Sequence, residues 1–185
     1  MKKLHLLFLG LVASSLVQAQ SVSISRHDYQ GVKGSGDATF TSVSYRDKIN
    51  DNWFGDVVFL QVQQEATQSV STRLETGLTY NHKLSDNLSG YVRTAIGQRH
   101  RASGTGNHLF YSVEPGFNYR VDKVVMGVGY RYRNGFDPAD LDKTETYRFR
   151  VGYDITKKDM ITIQRDITRG DSDVNTIGAT YTRRF

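Results

Sequence analysis

From residue 20 onward, hydrophobic and polar residues alternate with a period of two in segments of about ten residues. This period places one kind of side chain on each face of a β-strand, and no convincing helical period interrupts it. Clusters of Gly, Asp, Asn or Lys separate the segments. We therefore predict ten strands, which span residues 21–29, 38–46, 53–64, 70–82, 88–99, 108–120, 124–133, 145–155, 160–167 and 174–185.

The eighth predicted strand shows how the two faces differ. Tyr147, Phe149 and Val151 point to one side, and Arg148 and Arg150 point to the other. A strand with one apolar and one polar face suits a wall that separates lipid from water. The fourth, sixth and seventh predicted strands repeat the pattern, whereas the third shows no clear alternation.

Short and long connections alternate between the predicted strands. Tight turns at residues 84–87, 121–123 and 156–159 alternate with longer Gly-rich or charged loops at residues 30–37, 65–69, 101–107, 134–144 and 168–173. Outer-membrane barrels show this asymmetry, with short periplasmic turns, longer external loops and an even strand number. The predicted fold class is all-β, a transmembrane antiparallel up-and-down β-barrel of about ten strands, within a range of eight to twelve. Eight strands would result if the first and third merged or frayed, and a soluble β-sandwich is the alternative fold.

The amino terminus has the features of a secretory signal peptide. Lys2 and Lys3 precede a largely apolar stretch at residues 4–17, and Val17-Gln-Ala19 fits cleavage after Ala19. We expect a signal peptide over residues 1–19 and one barrel domain over residues 20–185. The expected location is the outer membrane of a Gram-negative bacterium.

The last predicted strand resembles the signal that the barrel-assembly machinery reads. Thr176, Gly178, Tyr181 and Phe185 fit that signal, while Arg183 stands where an apolar residue is common. We therefore expect the assembly machinery to be a partner of the carboxyl-terminal strand.

Aromatic residues on the predicted lipid-facing side form two girdles. A tyrosine ring is apolar and its hydroxyl needs water or a headgroup, so the membrane interface suits both parts. The turn-end girdle consists of Tyr80, Tyr119, Tyr153, Tyr181 and Phe185, and the loop-end girdle of Tyr111, Tyr130, Tyr132 and Tyr147. Membrane lipid and lipopolysaccharide are accordingly expected partners, with Arg165 and Arg183 placed to reach lipid phosphates.

The predicted inner face carries more cations than acids, and the cations are arginine rather than lysine. The arginines are Arg73, Arg93, Arg99, Arg120, Arg131, Arg133, Arg148, Arg150 and Arg184, and the acids are Glu75, Glu114, Asp154 and Asp166. Guanidinium keeps its charge at any working pH and meets carboxylates with two hydrogen bonds, so such a lumen favours acidic solutes. Either the surplus arginines line a wet, anion-selective path, or an ion-pair network fills the barrel. Inward glycines either leave room for that path or seat large neighbouring side chains.

Composition and motifs exclude several functions. The formal charge of +5 falls to about +3 without Lys2 and Lys3, which is not a nucleic-acid-binding balance, and the absence of Cys excludes disulfides and thiolate metal sites. The sequence has no His-Glu-x-x-His or Gly-x-Ser-x-Gly motif, so no catalytic residue, metal or cofactor is predicted. His100 and His108, which flank one loop, are the one hint of an enzyme. Acidic loops at residues 137–145 and 170–173 lack a calcium-loop spacing.

Several short motifs resemble the oligogalacturonate-specific porin family. They are Val22-Ser-Ile-Ser-Arg-His27, Val113-Glu-Pro-Gly-Phe117, Tyr130-Arg-Tyr-Arg133 and the closing residues 181–185. The resemblance implies a monomeric outer-membrane barrel whose arginine-lined lumen passes acidic oligosaccharides. It further implies that Arg131, Arg133, Arg148 and Arg150 line this path.

The sequence thus favours a porin-like channel for passive diffusion of small anionic solutes, with acidic sugars as candidates. The alternative is a non-conducting structural or surface-interaction barrel, and an outer-membrane enzyme is the least favoured function.

Overall fold

The computed structural model describes residues 20–31, 37–67, 69–101, 107–137, 139 and 142–185. The predicted signal peptide, its cleavage site at Ala19 and parts of the predicted loops lie outside these residues. No helix in the described part of the chain is long and apolar enough to cross a membrane.

The described residues form ten strands, each within three residues of its predicted bounds. They are β1 (Ser21–Gly31), β2 (Ala38–Lys48), β3 (Trp53–Gln64), β4 (Val70–Lys83), β5 (Leu88–Arg101), β6 (His108–Val121), β7 (Val124–Gly135), β8 (Thr144–Asp154), β9 (Asp159–Gly170) and β10 (Val174–Arg184).

The strands close into one antiparallel barrel in which each strand pairs with its neighbours along the chain. β1 closes the ring by pairing with β10 from Ser21 opposite Arg184 to Gly31 opposite Val174. Closure removes free strand edges, so the backbone groups are satisfied without water. The prediction of a ten-stranded antiparallel barrel is confirmed, and the β-sandwich and eight-strand alternatives are wrong.

The two ends of the barrel differ. Four short turns, at residues 49–52, 84–87, 122–123 and 155–158, lie at the same end as both ends of the barrel domain, and we call this the turn end. The five remaining connections lie at the opposite end, which we call the loop end. Their alternation follows from the up-and-down topology.

Large apolar side chains cover the outer face. Ile96, Val128 and Val151 are 56%, 49% and 55% exposed, and similar residues surround the barrel. An apolar surface of this extent is stable against lipid rather than water. β3 is apolar on both faces, because Val57 and Phe59 are exposed outside while its inner face borders the lumen through residues such as Leu60. This explains why the sequence shows no alternation there.

The nine predicted girdle aromatics lie on the outer face. Those of the turn end are spread over β4, β6, β8 and β10, whereas those of the loop end are confined to β6, β7 and β8. Tyr130 packs against Tyr147 with ring centroids 5.4 Å apart. Trp53 joins the turn-end girdle by packing against Tyr80 at 5.1 Å, and the sequence analysis missed it because β3 lacks alternation.

Arg183 has a partner within the protein. Its Nη1 donates to Asp159 Oδ1 at 2.9 Å, and the Tyr181 hydroxyl donates to the same oxygen at 2.6 Å. The Asp159 carboxylate therefore pairs with Arg183, the residue that departs from the usual terminal-strand signal. Arg165, by contrast, is exposed on the outer face of β9.

Inward glycines seat large side chains. Phe110 is fully buried, and its ring lies where a Cβ on Gly97 would be. Tyr91 occupies the corresponding space beside Gly116, where a Cβ would approach the ring at 2.5 Å. At these two positions the glycine makes room for a large neighbouring side chain, which is one of the uses expected from the sequence.

Gly97→Ala is expected to destabilise the barrel by about 1–3 kcal/mol, because the new methyl group would overlap both Phe110 and the Leu74 carbonyl. Urea unfolding in detergent micelles measures this loss. Gly55→Ala is the matched control, since its Cβ would meet only Ile49 at 3.7 Å, and we expect a change within about 0.5 kcal/mol. Equal stability of the two variants would contradict the packing role.

Candidate functional site

An internal cavity of about 1300 Å³ occupies the barrel. Its lining includes Ser21 and Arg184 at the turn end and Gln64 and Ser69 at the loop end. The cavity is therefore bordered by residues from both ends of the barrel.

All nine predicted inward arginines border this cavity, including Arg148 and Arg150, whose direction tests the register of β8. The sequence analysis missed Arg46, a tenth arginine on the inner face of β2. The expectation that no lysine borders the lumen is wrong at the turn end, where Lys83 lines the cavity and pairs with Asp86 at 2.7 Å.

Two arginines in the middle of the barrel each hold two carboxylates. Arg93 pairs with Asp56 at 2.5 Å and with Glu75 at 2.6 Å. Arg148 pairs with Glu114 at 2.7 Å and with Asp166 at 3.0 Å. These side chains are at most 16% exposed, so both charged groups of each pair are largely shielded from water. The charges of these two arginines are therefore neutralised by carboxylates of the barrel wall.

A third group of ion pairs lies at the turn end. Arg120 and Arg184 both contact the Asp154 carboxylate, and the Arg184 distance is 2.9 Å. The Arg120 side chain is 46% exposed, so water screens this interaction more than those in the middle of the barrel.

At the loop end, Asp142 reaches back into the barrel from the connection between β7 and β8. Its Oδ1 accepts a hydrogen bond from Arg133 Nη2 at 2.7 Å and lies 3.6 Å from Arg99 Nη1. His108 Nε2 lies 3.3 Å from Oδ2. Burial raises the pKa of the Asp142 carboxyl, but nearby guanidiniums, led by Arg133, outweigh it and hold the pKa below its ordinary value.

Four arginines border the cavity without pairing with any carboxylate of the described residues: Arg46, Arg73, Arg131 and Arg150. Arg46 and Arg73 lie over the rings of Phe54 and Phe110 at 4.6 and 5.1 Å. Arg150 donates to the Tyr91 hydroxyl at 2.6 Å.

The inner wall therefore carries a net positive charge. Apart from the Lys83–Asp86 pair, the described residues place ten arginines on this wall against six carboxylates, namely Asp56, Glu75, Glu114, Asp142, Asp154 and Asp166. An unpaired charge is costly in a dry interior, so the surplus guanidiniums require water in the cavity.

Bulky buried residues gather on one side of the barrel. Tyr91, Phe110 and Glu114 are buried on β5 and β6, where the Tyr91 hydroxyl donates to Glu114 at 3.0 Å. Residues of all ten strands border the cavity, and on β1 to β4, β9 and β10 much of its wall consists of serine and threonine. Ser23 and Thr182 exemplify this wall, with their hydroxyls 2.8 Å apart.

Besides the Lys83–Asp86 pair, three charged residues of this site were missed from the sequence. Asp56 lies on β3, where alternation gave no inward face, and Asp142 lies outside every predicted strand. Arg46 was the last residue of a predicted strand whose faces were not assigned, although an even spacing from Ser42 and Ser44 marks its side.

The pair of histidines that hinted at catalysis does not form one site. His108 is buried on the inner face, whereas His100 is exposed on the outer face of the adjacent strand. Among the residues that the structure describes, no group of three or more His, Asp or Glu side chains is placed to hold a metal ion.

Comparisons with known proteins show which solved structures have a similar fold. No family model matches the chain, and no curated protein matches it. Among solved structures, a KdgM porin in complex with disordered oligogalacturonate is similar with a TM-score of 0.53 and 13% identity, over 89% of this chain and 99% of that one. The β domain of the Bordetella autotransporter BrkA is similar with a TM-score of 0.54 and 9% identity, over 91% and 100% of the two chains.

At these identities the similarity concerns the fold alone. One of the two proteins is a porin and the other is the β domain of an autotransporter, so a shared barrel does not specify what passes through it. The fold is that of the transmembrane β-barrels of the bacterial outer membrane, and the function has to be argued from the lumen.

Proposed function

We propose that this protein is an outer-membrane channel through which small anionic solutes diffuse passively. The observation that carries the proposal is the set of four arginines that face the cavity without a carboxylate partner among the described residues: Arg46, Arg73, Arg131 and Arg150. A fixed positive charge beside water attracts anions and repels cations, and the low-dielectric wall focuses its field.

The positions of these arginines support a path rather than a single site. Arg73 lies on the loop half of β4, Arg131 lies near the middle of β7, and Arg46 and Arg150 lie nearer the turn end of β2 and β8. A solute crossing the barrel would therefore meet unpaired guanidinium at successive depths. Successive sites of moderate strength favour permeation over trapping.

Acidic sugars are the solute class that we propose. Arginine meets a carboxylate with two parallel hydrogen bonds, and the serine and threonine wall supplies donors and acceptors for sugar hydroxyls. The arginines and the serine and threonine residues border the same cavity. A structurally similar porin was solved in complex with oligogalacturonate, an acidic oligosaccharide, which agrees with this choice.

A non-conducting structural barrel is the competing function. The network of Tyr91, Glu114, Arg148 and Asp166 favours it, because these residues fill one side of the barrel. An enzyme has no comparable support in the described residues, and we propose none. We propose that the predicted signal peptide directs export and that the barrel-assembly machinery inserts the chain through β10.

Single-channel recording on the refolded protein without residues 1–19 tests the proposal. In planar bilayers we expect discrete conductance steps and, across a potassium chloride gradient, a reversal potential that shows preference for chloride. Galacturonate oligomers added to one side should reduce the chloride current because they compete for the arginines. A heat-modifiable barrel that inserts but stays silent would reject the channel and favour the structural function.

A further inference from the structure

At the loop end, Arg73, Arg99 and Arg133 lie around the carboxylate of Asp142, and we call these four residues the loop-end cluster. Asp142 hydrogen-bonds Arg133 at 2.7 Å and lies 3.6 Å from Arg99, and its side chain is only 2% exposed. Arg73 lies directly opposite Arg99 in the β4–β5 pairing and pairs with no carboxylate of the described residues. Asp142 therefore faces the guanidiniums of Arg99 and Arg133 and the ring of His108, while Arg73 has no carboxylate partner among the described residues.

Packing fixes the shape of this cluster. Arg73 and Arg133 lie over the fully buried Phe110 ring at 5.1 and 5.6 Å. Stacking on one ring holds the two guanidiniums near each other despite their repulsion. The cluster is consequently preorganised before a ligand binds.

The cluster has two sides with different exposure. The arginines border the cavity, whereas the buried Asp142 does not. Asp142 therefore contacts the arginines on the side of the cluster that faces away from the cavity. The side of the cluster that faces the cavity is accessible to solutes.

We propose that Arg73, Arg99 and Arg133 form a carboxylate-binding site at the loop end, and that Asp142 sets its affinity for passing anions. The chain's own carboxylate shows which chemistry this site accepts. A channel needs sites that attract its solute and still release it, and a fixed carboxylate within the cluster weakens an anion site in this way. The role in permeation rests on the channel function proposed above, whereas binding by the site does not.

Electrical recording tests the effect on permeation with Asp142→Asn. Removal of one fixed negative charge should raise the anion-to-cation permeability ratio roughly sixteenfold, because a unit charge at about 5 Å in water changes the local concentrations of anions and of cations about fourfold each, in opposite directions. The acetate current should also saturate at a lower concentration than in the wild type, because the site now holds acetate longer. Asp137→Asn is the control, since it removes the same charge from an exposed position of the same connection.

Chemical rescue tests the site itself and needs no conductance. Asp142→Ala should lower the urea midpoint in micelles, and sodium acetate should restore it in a saturable manner relative to sodium chloride at equal ionic strength. Wild type and Asp137→Ala should respond more weakly, because Asp142 still occupies its side of the cluster. Equal responses to acetate and chloride would overturn the binding site.

The two measurements separate the possible failures. A conducting wild type whose selectivity and saturation are unchanged by Asp142→Asn would overturn the tuning role and leave the channel intact. A silent wild type would reject the channel, while acetate rescue would still decide whether the carboxylate site exists.

Discussion

Replacing Arg148 by methionine is expected to destabilise the barrel by about 3–5 kcal/mol, because the substitution leaves two buried carboxylates without their partner. Glu114 and Asp166 have side chains that are 3% and 9% exposed, and Arg148 is the cation that joins them. The free energy of unfolding in urea, measured in detergent micelles, would record the loss.

Two further variants identify its cause. Arg120→Met removes an equally charged side chain that is 46% exposed, so we expect a loss below about 1 kcal/mol. Combining Arg148→Met with Glu114→Gln and Asp166→Asn removes the orphaned charges and should recover most of the stability. A single Arg148→Met variant as stable as the wild type would show that these carboxylates do not depend on Arg148.

Replacing both Arg131 and Arg150 by alanine is expected to change selectivity strongly and stability little. Neither side chain pairs with a carboxylate of the described residues, and both border the cavity. Loss of two charges near the path should lower the anion-to-cation permeability ratio roughly thirtyfold, because each charge at about 8 Å in water changes the local concentrations of anions and of cations about 2.4-fold, in opposite directions. The reversal potential across a salt gradient gives this ratio.

The matched control for this pair is Arg165→Ala, which removes a charge from the lipid-facing side of β9. We expect no change in its reversal potential, because the charge lies outside the lumen. The effect of the double variant should also weaken at high salt, where screening shortens the reach of fixed charges. A double variant with the selectivity of the wild type would show that permeating ions do not pass these two arginines.

The lumen arginines fall into two groups, according to whether each one pairs with carboxylates of the described residues. Arg93 and Arg148 are occupied by two carboxylates apiece and belong to the wall. Four arginines instead present their charge to the cavity, namely Arg46, Arg73, Arg131 and Arg150. The same residue type therefore serves stability at some positions and selectivity at others, and partner geometry decides which.

The pattern along the chain was sufficient to predict the barrel. Period-two alternation in β4, β6, β7 and β8 assigns each side chain to lipid or lumen, because successive residues of a strand point to opposite faces. The alternation of short and long connections then requires an up-and-down order. For the same reason, the inward direction of Arg148 and Arg150 follows from their neighbours Tyr147, Phe149 and Val151.

The pattern failed where both faces of a strand have the same character or where no strand exists. Asp56 went unrecognised on β3, since apolar residues occupy both of its faces. Asp142 lies in a connection, and nothing local indicates that it returns to Arg133 and His108. Contacts of this kind depend on where the loop ends in space, which a strand period does not encode.

The sequence by itself determined the strands, their faces and the surplus of inward cations, because these depend on short-range periodicity and on counting charges. Only the tertiary structure decided which cations are neutralised. Arg148 and Arg131 look equivalent along the chain, yet one meets Glu114 and Asp166 while the other meets no carboxylate of the described residues. Ion pairing falls off steeply with distance, and closure of the barrel sets the distances between strands far apart in sequence.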